Sequence, residues 1–198
     1  MYKPGETDIL YAKANVCRTV IYENEETDMS FSLIPDVTLD RYAQLTPAWL
    51  KERGVTLLLS DLDYTLAPKS VRRPDDALKA WIGALQAEGI TFMIISNNRS
   101  PKRVREFCAE LGVGYQGHAG KPSPRGLLAA MRRTGTDTAH TAMLGDKLLT
   151  DVLAANRAGV LALMVEPAGG PVTLWQKVLH TLQRPFKALC RCDLRGKG

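Results

Sequence analysis

Two aspartates one residue apart, Asp61 and Asp63, stand where the apolar run Val55-Thr56-Leu57-Leu58-Leu59-Ser60 gives out. Like charges so close repel, so the chain must gain something by keeping them together. A divalent metal with hard oxygen ligands would hold both. So would a division of labour, with Asp61 as nucleophile and Asp63 as acid and base. The bland alternative is a pair of solvated carboxylates in a strand-to-loop turn, since such pairs are common by chance. Further polar groups recur downstream: Ser96-Asn97 after a second apolar run, Lys121 before Pro122, and Asp146 after Gly145 with Asp151 beyond it. Singly, these are a strand-end hydroxyl, a solvated loop lysine and a helix N-cap. Together they supply what phosphoryl transfer needs: an in-line nucleophile, neutralisation of the phosphoryl oxygens and a proton donor for the leaving group. Asp61 can form an aspartyl phosphate. Asp63 can protonate the departing oxygen and then deprotonate the hydrolytic water. Asp146 and Asp61 can hold Mg²⁺ against the phosphate. Ser96 and Lys121 can bind phosphoryl oxygens as a neutral donor and a point charge.

These residues must be brought to one rim, and the elements between them have that capacity. Residues 55–60 and 90–95 are short, continuous apolar runs, as expected of strands buried on both faces. Residues 140–144 and 160–165 repeat the pattern, and 113–115 can add a short strand. Helices are expected between them. Thr46 caps a short one with Pro47 at its first position and Gly54 past its end. Residues 75–89 place Ala77, Leu78, Trp81, Ile82 and Leu85 on helical spacing, closed by Gly89. Ser100 and Pro101 open a helix to about Leu111, with Val104, Phe107, Cys108 and Leu111 inward and Gly112 at its close. Further helices are expected over 125–133 and 150–158. Strand–helix alternation with connections too long for hairpins implies a parallel α/β sheet with helices on both faces. In such a sheet, ligands bind beyond the carboxyl ends of the strands, where these polar clusters fall.

At 198 residues, with 45% hydrophobic and 24% charged, the chain has the makings of one domain with some excess. The net charge of +5 resides in residues 172–198, and the remainder sums to zero. Residues 1–35 are an acidic, weakly patterned arm, 36–170 the core, and 171–198 a basic amphipathic helix and tail. Val172, Leu174, Trp175, Val178, Leu179 and Leu182 fall on helical spacing, with Lys177, His180, Arg184, Lys187 and Arg191 adding charge. Such a segment either docks on the sheet or lies on an anionic bilayer, and the part beyond Pro185 is the better candidate for the membrane. No apolar run approaches a transmembrane span, and the first residues lack a signal-peptide pattern. The four cysteines, Cys17, Cys108, Cys190 and Cys192, have no metal-ligand spacing beyond a lone C-x-C, which fits free thiols in a reducing compartment. A cytoplasmic protein, peripheral to a membrane if at all, is the expectation.

The order D-x-D-x-T-L after an apolar strand, Ser-Asn after the next, a loop lysine before proline and Gly-Asp-x₄-Asp resembles the four motifs of the haloacid dehalogenase-like (HAD) phosphohydrolases. The resemblance spans about residues 57–165. It implies a three-layer α/β/α Rossmannoid fold and a Mg²⁺-dependent phosphatase. It also implies roles: Asp61 nucleophile, Asp63 acid/base, Thr65, Ser96, Asn97 and Lys121 phosphate ligands, and Asp61, Asp63 (through its carbonyl) and Asp146 metal ligands. Asp151 would support the metal or orient the lysine. Gly-Asp-Lys-Leu-Leu-Thr-Asp-Val, Ser-Asn-Asn and Pro35-Asp36 resemble the YqeG branch of subclass III, whose eukaryotic relatives dephosphorylate phosphatidylglycerophosphate. Tyr64 departs from the asparagine usual in that branch.

Between Leu66 and Ser96 there is room for a loop and one helix, and between Asn97 and Lys121 for one helix and a short strand, so no cap domain fits. An open site favours a bulky substrate that covers it, such as a lipid surface, a protein or a nucleic-acid end. The expected function is therefore a phosphomonoesterase, acting on a lipid head group such as phosphatidylglycerophosphate. The alternatives are a capless phosphatase of nucleic-acid ends or small phosphorylated metabolites, and a non-catalytic binding protein on the same fold.

Overall fold

The computed structural model describes residues 31–97 and 101–169, with residues 181, 185–186, 188–190 and 192–194 of the C-terminal segment. Most of the N-terminal arm, the Ser100 cap and the helical spacing from Val172 to Leu182 lie outside these described residues. Within them, seven parallel strands form one sheet in the order β4-β3-β2-β5-β6-β1-β7. The strands are β1 Val37–Leu39, β2 Leu57–Ser60, β3 Thr91–Ile95, β4 Gly114–Gln116, β5 Thr141–Gly145, β6 Leu161–Val165 and β7 Cys192–Asp193. The helices are α1 Pro47–Lys51, α2 Asp76–Ala87, α3 Pro101–Leu111, α4 Arg125–Thr134 and α5 Leu153–Ala158.

The continuous apolar character of the central strands follows from burial on both faces. Alternate residues of each strand feed different cores. Leu58, Phe92, Ile94, Ala142, Leu144, Leu163 and Val165 join Leu50 of α1, Leu78, Ile82 and Leu85 of α2, and Val104 and Phe107 of α3. On the opposite face, Leu57, Leu59, Met93, Ile95, Met143, Ala162 and Met164 meet Leu127 and Met131 of α4 and Ala154, Ala155 and Ala158 of α5. This is the expected three-layer α/β/α fold. Among the described residues between Leu66 and Ser96, and between Asn97 and Lys121, only the expected elements are present, and no cap is inserted.

Local chemistry sets the helix ends. The Thr46 hydroxyl accepts from Trp49 N at 3.2 Å, and the Asp75 carboxylate accepts from Leu78 N at 2.8 Å. Each such cap contributes about 1 kcal/mol. Past α2, Gly89 takes φ 78°, the left-handed conformation that glycine adopts without steric penalty. The Trp81 side chain stays at the margin of the core, with its Nε1 donating to Leu45 O at 2.8 Å, while Ala77 is exposed.

Three features differ from the sequence reading. The helix expected over 150–158 begins earlier, as a π-helical turn at Leu148–Val152 that passes into α5. Two strands that the sequence reading did not include, β1 and β7, lie beyond β6; Val37 pairs with Leu163 on one side and with Cys192 on the other. The segment beyond Pro185 is also not a free membrane-facing arm in its described residues. Phe186 packs against the core, Cys190 Sγ lies 3.3 Å from Thr38 Oγ1, and Leu194 N donates to Thr38 O at 2.9 Å. An edge strand exposes a row of unpaired backbone groups, and the C-terminal residues satisfy part of that row on β1. Among the described residues no helix is long and apolar enough to cross a membrane.

Candidate active site

The carboxyl ends of β2, β3 and β5, neighbours at the centre of the sheet, deliver Asp61, Ser96 and Asp146 to one rim. Asp61 is fixed by its backbone N–H, which donates to Leu144 O of the adjacent strand at 2.9 Å. Lys121 arrives on the loop after β4 and is buried at 6% exposure. Its ammonium donates to Asp61 Oδ1 at 2.8 Å and Ile95 O at 2.9 Å, and lies 2.7 Å from Asp151 Oδ1. Lys121 is therefore the buried hub between two carboxylates. Burial alone would favour loss of its proton, but Asp151 and Asp61 hold its pKa above the ordinary lysine value.

The π-helical turn explains how Asp151 reaches this hub. Its Oδ2 accepts from Lys147 N at 3.1 Å, which folds the turn back against the end of β5. Gly145 makes room: a Cβ there would lie 2.2 Å from Asp151 Cβ. Asp151 is fully buried, and burial raises its pKa despite the neighbouring Lys121. Its carboxylate contacts Lys121 and also belongs to an acidic group with Asp61 and Asp146, so both roles open to it have a geometric basis.

Asp146 accepts from Thr65 Oγ1 at 3.1 Å and pairs with Lys147 Nζ at 2.5 Å. Burial lifts its carboxyl to about 7, outweighing Lys147, and the nearby Asp151 and Asp61 charges push the same way. Thr65 thus reaches the site through Asp146. Asn97 reaches it through Lys121: its amide donates to Lys121 O at 2.8 Å and accepts from Lys121 N at 3.0 Å, which sets the loop that carries the lysine. Ser96 is buried at the end of β3, and its carbonyl accepts from Ala119 N at 3.2 Å.

Asp63 is placed apart from the other acids. Its carboxylate turns to Arg103, whose Nη1 donates to Asp63 Oδ1 at 2.5 Å. Arg103 Nη2 and Nε donate to Val71 O at 2.9 and 3.3 Å, which ties the loop after β2 to the first turn of α3. The backbone carbonyl of Asp63 lies 3.4 Å from Lys147 Nζ. Arg103 and Lys147 were not among the expected site residues. Arg103 did leave a signal: four positions before Phe107, it shares the inward stripe of α3, where a charge needs a partner.

Carboxylate oxygens of Asp61, Asp146 and Asp151 all lie within 4.8 Å of one another, and all three residues are buried. Oxygens gathered this closely could share one small, hard cation. Asp151 Oδ1 makes no aligned hydrogen bond despite its burial. With all four ionised, the acids Asp61, Asp63, Asp146 and Asp151 outnumber the cations Lys121, Lys147 and Arg103 by one negative charge. A phosphate dianion would be repelled unless a divalent cation entered with it. The all-oxygen donor set and its charge therefore fit Mg²⁺.

A family model described as haloacid dehalogenase-like hydrolase matches residues 18–159. The probable phosphatase YqeG of Bacillus subtilis is 34% identical over 134 residues, covering 68% of this chain and 77% of that protein. The chloroplastic phosphatidylglycerophosphate phosphatase 1 of Chlamydomonas reinhardtii is 29% identical over 126 residues, covering 60% of this chain and 47% of that protein. This chain thus spans about half the length of that algal relative. Among solved structures, the cobalt-bound deoxy-D-mannose-octulosonate 8-phosphate phosphatase of Haemophilus influenzae aligns with a TM-score of 0.50 at 15% identity, over 67% of this chain and 89% of that one. The corresponding phosphatase of Yersinia pestis aligns with a TM-score of 0.51 at 14% identity, over 71% and 72%. At such identities the solved structures attest the fold alone. With the family match over most of the core, the YqeG relative and four motifs gathered at one sheet rim, the chain belongs to the haloacid dehalogenase-like hydrolases, as a phosphatase of the YqeG type.

Proposed function

We propose that this phosphatase is a Mg²⁺-dependent phosphomonoesterase that works through an aspartyl phosphate on Asp61, with a lipid head group such as phosphatidylglycerophosphate as substrate. The observation that carries the mechanism is the clamp on Asp61. Lys121 holds its Oδ1 at 2.8 Å, which orients the carboxylate while Oδ2 faces the Asp146–Lys147 side. In the first step a bond forms between an Asp61 oxygen and phosphorus as the bond to the leaving oxygen breaks. In the second, water attacks the same phosphorus and frees Asp61. Asp63 is the carboxylate held away from the cluster, so it is the one left to pass a proton to the leaving oxygen and to take one from the water, steered by Arg103. Lys121 and the Ser96 hydroxyl serve the phosphoryl oxygens. Asp61, Asp146 and the Asp63 carbonyl would hold the magnesium. When bound, that ion supplies charge neutralisation of the phosphoryl group.

The lipid assignment rests on the uncapped rim and on the named activity of the algal relative. Peripheral contact with an anionic bilayer would come from the basic residues that precede Pro185 in the C-terminal segment, Lys177 and Arg184. Phosphate release should be compared for phosphatidylglycerophosphate in vesicles, a phosphorylated oligonucleotide and a sugar phosphate, with and without Mg²⁺. Release from the vesicles, dependent on Mg²⁺ and reduced about 10⁴-fold or more in Asp61→Asn, is expected. Unchanged turnover in that variant would end the nucleophile assignment. Preferential release from the oligonucleotide or sugar would move the substrate to the alternative classes.

A further inference from the structure

Lys147 is not needed by the chemistry just described, yet its ammonium stands at the centre of the site. It lies 2.5 Å from Asp146 Oδ1, 3.4 Å from Asp63 O and 3.8 Å from Asp61 Oδ2. Those oxygens belong to the three residues proposed to hold the magnesium. We propose that Lys147 is a resident counter-cation, which occupies the divalent-metal position and must swing out before the metal can enter.

Sterics and charge both exclude joint occupancy. Mg²⁺ draws its ligands to about 2.0–2.1 Å and tolerates little departure from octahedral geometry. An ammonium among the same oxygens would stand within contact distance of the ion, with unscreened repulsion between the two cations. The side chain also has the means to leave. It is 43% exposed on a flexible stem, with the Tyr64 ring centroid 5.8 Å from the ammonium. Its backbone does not need to follow, because Lys147 N is anchored to Asp151 Oδ2 at 3.1 Å. Lys121 has no such freedom: only 2% of its side chain is exposed, and it bridges two acids.

The device has a physical purpose. Without a cation, Asp146 and Asp61 would face each other across a buried site, at a large desolvation and repulsion cost. Lys147 relieves that cost when metal is scarce and makes metal entry an exchange of one cation for another. The apparent metal affinity is then the intrinsic affinity multiplied by the fraction of molecules in which Lys147 is already out.

The inference rests on the magnesium reading of the site, and the experiment separates their fates. Full-length protein is acylated at lysines with and without saturating Mn²⁺ or Mg²⁺, and modification is read residue by residue by mass spectrometry. Lys147 labelling should rise several-fold with metal while Lys121 stays protected. In parallel, calorimetric titration of Mg²⁺ into wild type and Lys147→Met should show about tenfold tighter binding by the variant, corresponding to a lysine that is in place about nine-tenths of the time. Lys147→Arg should stay near wild type. If the wild type binds metal and Lys147 labelling does not change, the inference fails and the magnesium reading stands; equal affinity in Lys147→Met has the same meaning. If the wild type binds no divalent ion, both fail. Should Lys147→Met not fold, the labelling of the wild-type chain still decides.

Discussion

The two halves of the sheet are held together in different ways. Buried charge gathers beyond the carboxyl ends of β2, β3, β4 and β5: Asp61, Asp146, Asp151 and Lys121 lie between 1% and 7% exposed around one rim. The far edge, β6-β1-β7, is held by apolar side chains such as Val37, Leu39, Leu163 and Val165, with Asp36 Oδ2 accepting from Ala162 N at 2.9 Å where the edge begins. Apolar packing stabilises wherever it occurs. Buried charge stabilises only while every member is paired. The first half is therefore built to accept a cation and an anion, and the second to keep the first rigid.

Breaking one member in each half should expose that difference. Lys121→Met leaves Asp61 and Asp151 buried without their cation and should cost about 3–5 kcal/mol. Leu163→Ala, in the far half, should cost about 2–5 kcal/mol from its cavity. The totals overlap, but the response to a second change does not. Asp151→Asn should return much of the loss in the Lys121→Met background, because it removes one of the stranded charges. No charge change should rescue Leu163→Ala. Urea unfolding of the four variants reads this directly. If Lys121→Met alone is as stable as wild type, the paired-charge account of the site half is wrong.

The same contrast explains what could be read in the sequence. Asp61, Ser96, Lys121 and Asp146 were legible because each follows a strand or loop in the chain, so local order already places them. The central strands were legible because a parallel strand buried on both faces is apolar throughout. The edge was not. Val37–Leu39 and Cys192–Asp193 are too short to carry a pattern, and their pairing depends on partners more than 120 residues away in sequence. Arg103 and Lys147 escaped for a related reason: long cationic side chains usually lie in solvent, and Arg103 acquires its role only when the fold brings Asp63 to it, as Lys147, already next to Asp146 in the chain, does only when the fold adds Asp61 and the Asp63 carbonyl. The π-helical turn was missed because its cause, Asp151 folding back over Gly145, is a contact with the end of the neighbouring strand rather than a helical propensity.

Acidity sharpens the contrast in a second way, since apolar packing has no proton to gain. Asp146 has a carboxyl raised by burial to about 7 in the metal-free protein. A metal must displace that proton below this pH and need not above it. Mg²⁺ affinity should therefore be flat at alkaline pH and fall up to tenfold per unit as the pH drops below about 7. The folding sign is the reverse. A carboxyl whose folded-state pKa is raised contributes stability that is present below its unfolded value and is lost as the pH rises through its folded value. Metal-free protein should lose stability from this group between pH 4 and 7, and saturating Mg²⁺ should restore it. Thermal melts across that range, with Asp146→Asn as the control that lacks this contribution, test both signs.

The smallest expected effect concerns backbone strain, which also divides unevenly between the halves. Among the described residues, the non-glycine residues with positive φ are Tyr64 at 70° and His118 at 49°, and both lie in the site half. Tyr64 is pinned on either side: its N–H donates to Ala67 O at 2.8 Å, and its carbonyl accepts from Ala168 N at 2.6 Å. A bulky side chain in the left-handed region costs about 1–2 kcal/mol, and asparagine tolerates it better. Against that, the Tyr64 ring faces the Lys147 ammonium at 5.8 Å. Such a contact contributes about 0.5–1 kcal/mol at an exposed site. Tyr64→Asn should therefore stabilise the protein slightly, by about 0.5 kcal/mol. The gain should grow when Lys147→Met has already removed the cation, because no contact is then lost. A Tyr64→Asn variant less stable than its parent in both backgrounds would mean that the ring, rather than the backbone, decides this position.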